Sequence, residues 1–224
     1  MTPYTLYGAD ISYYTGKVRA FLRWKDLPFV EVLATGGIYR RVIVPRIGFA
    51  VIPVLETPEG DTLQDSTDII DALDHRHGGP SVLPTGPVQR LASSMLELYG
   101  DEWLLIPAMH YRWHHNRDWA LRAFGALNAP DATPEEQLEL GTRRAAPFAQ
   151  AAVLLGGAPH MHAAIERSYE GLLAELDRHF AEHPYLLGGR PSIGDFGLYG
   201  PLYAHQYRDP ASGALMRRLA PHVV

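Results

Sequence analysis

The sequence predicts two unlike halves: an α/β domain over 1–79 and an all-α domain over 88–224, joined by a linker at 80–87. Three observations predict this. Strand-like and helix-like patterns alternate from Tyr4 to Arg76. The run His77-Gly-Gly-Pro-Ser-Val-Leu-Pro-Thr-Gly-Pro87 is dense in Gly and Pro, as an interdomain connection is. After it, strand signals vanish and only helical periodicity remains.

The elements follow in order. Tyr4–Gly8 is a short apolar strand. Tyr14–Asp26 has helical spacing in Val18, Phe21, Leu22 and Trp24; Leu27-Pro28 stops it, and Phe29–Leu33 reads as a second strand. A helix between two strands makes them parallel, with a right-handed crossover. Gly36-Gly37 breaks the pattern, and 38–49 reads as a short irregular helix and loop. Residues 51–74 then hold an apolar run from Val51 to Leu55, a Pro-Glu-Gly-Asp turn at 58–61, the strand Thr62-Leu63-Gln64 and a helix. Asp65 or Ser66 caps that helix, and Ile69, Ile70 and Leu73 lie on its apolar face. Pro53 within a strand pattern means an edge, a bulge or a cis peptide, the last freeing neighbouring backbone for a ligand. A helix N-terminus beside it attracts anions. Together these suit a peptide-like anionic ligand. The strand–helix–strand, helix, strand–strand–helix order is thioredoxin-like.

In the second half, 88–124 reads as one long helical stretch bent at Pro107, and 134–155 as a helix broken at Pro147. Residues 160–183 are strongly periodic through Ile165, Tyr169, Leu172, Leu173, Leu176 and Phe180. Ser192 and Asp195 stand at the spacing of a capping box, which starts another helix.

The 224 residues carry a formal net charge of −5 with no basic block, which argues against nucleic-acid binding. No apolar run reaches the roughly 18 residues of a membrane span. The N-terminus lacks a basic n-region and an apolar stretch, so a cytoplasmic location is the default expectation. There are no cysteines, which removes disulfides, thiolate metal sites and protein thiol nucleophiles together. His110 and His114 stand at a spacing that can bind zinc, but two ligands are too few and no Glu completes H-E-x-x-H; no metal is expected.

Val51-Ile-Pro-Val-Leu55, the short hairpin and Gln64-Asp-Ser-Thr-Asp-Ile-Ile70 resemble the glutathione-binding half of the glutathione S-transferase (GST) superfamily, whose members show (V/I)-P-x-L, a turn and (E/Q/D)-S-x-x-I. Leu186-Leu-Gly-Gly-Arg-Pro-Ser-Ile-Gly-Asp-Phe196 resembles the L-x-G-x-x-(P/F)-(S/T)-(I/A)-x-D-(F/I) element of their helical domain. Ser12-Tyr13-Tyr14-Thr-Gly-Lys-Val-Arg19 is similar to the S-P-(Y/F)-x-x-K-V-R pattern of serine-type members, with Tyr13 replacing the proline.

The resemblance implies glutathione as co-substrate, a small electrophile as the other partner, and a homodimer. Ser12 would donate a hydrogen bond to the glutathione thiolate, or would simply cap the helix; Tyr7 and Tyr13 are rival donors. Ile52 and Pro53 would pair with the cysteinyl unit, and Asp65 and Ser66 would hold the γ-glutamyl end. Arg40, Arg41 or Arg46 would meet the glycyl carboxylate, although the family's N-P-x-G-x-(V/I)-P is stretched here to Pro45–Pro53. Tyr14, Tyr111, Trp113 and His114 would line the second-substrate pocket. Family members usually continue past the point where this chain reaches Val224, with helices that wall that pocket. Rival readings are a GST-fold binding or assembly protein without catalysis, and a glutathione-dependent isomerase or reductase.

Overall fold

The computed structural model describes residues 2–224. Its centre is a four-stranded sheet in the order β2-β1-β3-β4, with β1 Tyr4–Gly8, β2 Phe29–Leu33, β3 Val54–Glu56 and β4 Thr62–Gln64. The crossover through α1, Tyr13–Trp24, makes β1 and β2 parallel, while β3 pairs antiparallel with both β1 and β4. Both faces of the sheet are covered. Leu6 and Leu55 face Val18, Phe21 and Leu22 of α1 and Ile69, Ile70 and Leu73 of the helix that follows β4. Tyr7 and Val54 point to the other face, against Ala34 and Ile43. That is why β1 reads as a continuous apolar run and not as an alternating one.

Residues 36–47 form the irregular helix expected near 38–49. It comprises α2 Gly36–Ile38, a π turn at Tyr39–Ile43 and α3 Val44–Ile47, closed by Gly48 at φ 90°. After β4, α4 spans Ser66–Arg76. The helical half holds α5 Pro87–Leu98, α6 Leu105–His110, α7 Arg117–Asn128, α8 Pro134–Leu154, α9 His162–Phe180, α10 Ile193–Tyr199 and α11 Pro210–Leu219. π turns follow α5 at Tyr99–Trp103 and α6 at Tyr111–His115, and a longer π stretch, Gly200–Tyr207, follows α10.

Two prolines behave differently from their sequence reading. The stretch 88–124 does not bend at Pro107. It is interrupted near Leu104, whose N–H reaches back to Tyr99 O at 3.0 Å, and near Asn116. Pro107 is the third residue of α6, where an N–H would have no intrahelical partner in any case. Pro147 does not break α8, which runs on to Leu154. It stands on the exposed face, and the helix is held by its packing on α7. At that crossing a Cβ on Gly125 would come within 1.8 Å of Gln137 O, and one on Gly141 within 1.9 Å of Leu121 O.

The halves meet across α1. Gly16 sits against Ala204 of the Gly200–Tyr207 stretch, and Phe21 and Trp24 pack edge-on against Phe196 of α10. The Ser192/Asp195 capping box is formed: Asp195 accepts from Ser192 N and Oγ, both at 2.8 Å, and from Leu186 N at 2.8 Å.

Candidate functional site

Three segments converge where β1 gives way to α1. The first is the turn 9–12. Ser12 caps α1 in an extended conformation, with φ −83° and ψ 126°, and its Oγ accepts only a long 3.4 Å bond from Thr15 N. Among the described residues the hydroxyl proton has no acceptor, on a half-buried side chain at the positive end of a helix.

The second is the approach to β3. The Ile52–Pro53 peptide is cis, and Val54 is the first residue to enter the ladder, opposite Tyr7. Ile52 therefore lies outside the sheet pairing, half-buried, beside the end of β1.

The third is the corner between β4 and α4. Asp65 has φ 73° and ψ 132°, a backbone region that non-glycine residues avoid. It caps α4 by accepting from Thr67 N at 2.9 Å and Asp68 N at 3.5 Å. Ser66 is thereby turned inward and buried as the first residue of the helix. Residues held in such conformations cluster at ligand sites. Asp65, and not Ser66, is the cap.

Beneath these segments lies a buried ionic knot. Lys17 is fully buried, and its Nζ donates to Glu97 at 2.7 Å, Asp101 at 2.6 Å and Thr67 Oγ1 at 3.0 Å. One cation thus fastens α1 to the start of α4 and to the end of α5. A second cation reaches the other way. Arg112 is bidentate to Asp209, at 2.8 and 2.7 Å, and its Nη1 donates to Ile11 O at 2.8 Å and to His205 at 2.6 Å. The carbonyl next to Ser12 is therefore held from the helical half.

The phenol hydroxyls near the turn are committed, while Thr15 Oγ1, without a partner among the described residues, is fully buried. Tyr7 donates to Glu56 at 2.8 Å, and burial followed by that carboxylate raises its pKa. Tyr13 is buried and donates a short bond to Gly100 O; burial, then Tyr14 and Asp101, push its pKa well up. Tyr14 donates to Asp101 O at 2.9 Å, and its pKa is raised chiefly by burial. Substituting tyrosine for the proline expected at 13 turns this side chain into the contact between the halves, where its ring meets His205 edge-on. The rival donor Tyr13 is thereby removed from the mouth of the site.

The sequence matches two family models. "Glutathione S-transferase, N-terminal domain" matches residues 6–81, and "Glutathione S-transferase, C-terminal domain" matches 145–222. This chain belongs to the glutathione S-transferase superfamily. Solved structures agree at the level of fold. A glutathione S-transferase from Rhodospirillum rubrum F11 is 18% identical at a TM-score of 0.59, over 98% of this chain and 83% of that one. A glutathione S-transferase from Methylobacterium radiotolerans, in complex with glutathione sulfonate, is 22% identical at 0.57, over 99% and 88%. A glutathione transferase family member from Pseudomonas fluorescens Pf-5 with bound glutathione is 20% identical at 0.53, over 98% and 90%. No curated protein matches the chain at a significant level.

Among the sequence-predicted residues, this GST brings Ser12, Ile52, Pro53, Asp65 and Ser66 to one rim. Arg40 and Arg41 are exposed on the irregular helix, without an ion pair among the described residues, and the Arg41 guanidinium lies against Gly37. Arg46 is engaged by Glu56 at 2.5 Å and lies over the Tyr7 ring.

The four residues assigned to a second-substrate pocket do not share one. Tyr14 is tied to Asp101; Tyr111 packs on Tyr169 at the α9 side; Trp113 is buried with Ala120 and Ala145 against α7 and α8; His114 is exposed and stacks on His110. Successive residues of a helical turn point in different directions, so a run of aromatic letters does not make a pocket lining. Lys17 and Arg112 went unassigned in the sequence. The available signal was a lysine one turn before Phe21, on the apolar face of an amphipathic helix, where a cation needs partners.

Proposed function

We propose that this GST conjugates glutathione to a small electrophile, with Ser12 as the hydrogen-bond donor to the thiolate. The carrying observation is that Tyr7 and Tyr13, its rivals, have spoken-for hydroxyls, whereas Ser12 holds a free proton at a helix N-terminus. A thiol titrates near ~8.5, so one donor plus first-turn N–H groups favours the thiolate at neutral pH. Ile52 would pair with the cysteinyl unit. Asp65 and Ser66 would hold the γ-glutamyl end, Asp65 facing the amine. Arg40 or Arg41 would meet the glycyl carboxylate, since Arg46 is occupied. The domain limits 1–79 and 88–224, with a linker at 80–87, are part of this proposal, as is a cytoplasmic setting.

The protein would act as a homodimer. Val88, Leu91, Met95 and Leu98 form an exposed apolar stripe along α5, and Trp103 and Phe49 are exposed as well. A second copy would cover this face.

The test is calorimetric titration with glutathione, together with turnover of a generic aromatic halide. Ser12→Ala should keep glutathione affinity and lose about a hundredfold in turnover, the effect of removing one preorganised donor. Absence of binding at millimolar glutathione would sink the reading. Equal turnover in Ser12→Ala would remove Ser12 from the thiolate, and glutathione binding with no turnover in the parent protein would favour the non-catalytic alternative, which Tyr13 in place of proline and the lengthened approach to Pro53 motivate.

A further inference from the structure

On the far side of the helical half, α9 lies against α6 and the π turn after it. The i→i+5 bonding of that turn matters here. It brings His110 and His115 onto one side, where the sequence spacing had singled out His110 and His114. Nε2 of His110 and Nε2 of His115 stand 2.9 and 2.7 Å from the same oxygen, Oε1 of Glu166 on α9. These three donor atoms all lie within 4.8 Å of one another. Two more imidazoles crowd the spot. His162 lies with its ring 4.5 Å from that of His110 and 4.3 Å from that of His114, and His114 stacks on His110 at 5.2 Å. His162 Nε2 already faces Gly157 O, which sets it apart from the three.

We propose that His110, His115 and Glu166 form a binding site for a divalent metal ion of the zinc type. Two imidazoles and one carboxylate are a donor set that zinc accepts, with a fourth position left open. Tetrahedral bonds of zinc length place ligand atoms roughly 3.3 Å apart, so each imidazole nitrogen moves out from the Glu166 oxygen by about half an ångström and the two nitrogens, which lie within 4.8 Å of each other, settle to that spacing. The two Nε2 lone pairs turn to the metal, and each ring proton moves to Nδ1. The open position has somewhere to face: His115 and Glu166 also line a cleft of about 430 Å³ with Tyr111, Glu170, Leu215 and Arg218. The metal would keep a water there. This site stands apart from the glutathione rim and does not depend on the reading of that rim.

The experiment uses the full chain without an affinity tag, stripped with a chelator and titrated calorimetrically with zinc chloride. One equivalent should bind at micromolar or tighter affinity and raise the melting temperature. Glu166→Gln and His115→Ala change half-buried or exposed side chains and should fold. Each should weaken binding at least about tenfold, the lower bound seen even for residues that only support ligands. His183→Ala is the control, because His179 and His183 are the other paired imidazoles, 4.9 Å apart. The proposal is overturned if zinc does not bind, if binding survives both Glu166→Gln and His115→Ala, or if His183→Ala abolishes it.

Discussion

Replacing Lys17 by Met should cost this fold about 3–5 kcal/mol, the range for removing one partner of a buried ion pair. The perturbation deletes a fully buried ammonium and leaves Glu97 and Asp101 facing the vacated space, each at most about one-seventh exposed. At an effective dielectric constant near 20, each contact contributes roughly 6 kcal/mol of gross attraction, most of it offset by the cost of drying the charges. The net penalty of the variant is therefore the penalty of two uncompensated carboxylates. Burial already raises the pKa of Asp101, against the opposing pull of the Lys17 charge, so without Lys17 it should rise further. Urea unfolding measures the loss as a lower midpoint with an unchanged slope. The neutral triple variant Lys17→Met, Glu97→Gln, Asp101→Asn should recover most of the loss, since replacing a whole buried ionic group is far milder than breaking it. A second readout is functional. Thr67 loses the Lys17 donor and keeps only its carboxylate acceptors, Glu97 at 2.9 Å and Asp101 at 3.5 Å, so the α4 N-terminus beside Ser66 should loosen and the KM for glutathione should rise. A single variant within about 1 kcal/mol of wild type, beyond the range expected for a broken buried pair, would refute the account.

Other outcomes follow from separate features. Gly141→Ala places a methyl group against the Leu121 carbonyl, and overpacking at a helix crossing should cost about 1–3 kcal/mol or more, read as a fall in melting temperature. Asp195→Ala strands three donors, Ser192 N, Ser192 Oγ and Leu186 N, and should cost about 2–3 kcal/mol by urea titration. His205 is fully buried; burial first, then the Arg112 charge, hold its pKa well below the usual 6.5. The unfolded chain therefore takes up this proton first as pH falls. Stability is complete above about pH 6.5 and declines below it. His110 and His114, also lowered chiefly by burial, add to the same slope. His205→Gln should flatten that slope in part, measured as melting temperature between about pH 7 and pH 5; an unchanged slope would contradict the buried neutral imidazole.

The legible parts of this chain were those where one local rule decides. Tyr4–Gly8 and Phe29–Leu33 are strands with the bounds their composition indicates, because apolar runs bounded by Gly and Pro leave few other options. Ser192 and Asp195 make their box because its chemistry is contained in four residues. The cis bond at Pro53 was one of the alternatives that a proline in a strand allows. What escaped the sequence lies between distant elements. Arg112 and Asp209 are nearly a hundred positions apart, and neither letter names the other. The π turns at Tyr99–Trp103 and Tyr111–His115 shift every following side chain around the helix, so no 3.6-residue period could check the pocket that the resemblance implied for Tyr111, Trp113 and His114.

Lys17 and Arg112 have a joint consequence for engineering. Lys17 and Arg112 each reach from one half into acidic or carbonyl acceptors supplied by the other, and Arg208 adds a more exposed pair with Asp10, so the two halves are not interchangeable modules. A chimera that keeps this sheet but takes a foreign helical half would bury Lys17 without Glu97 and Asp101, and would release the Ile11 carbonyl beside Ser12. To fold and keep that turn in place, a graft must carry Glu97, Asp101, Arg112 and Asp209 as one inherited set.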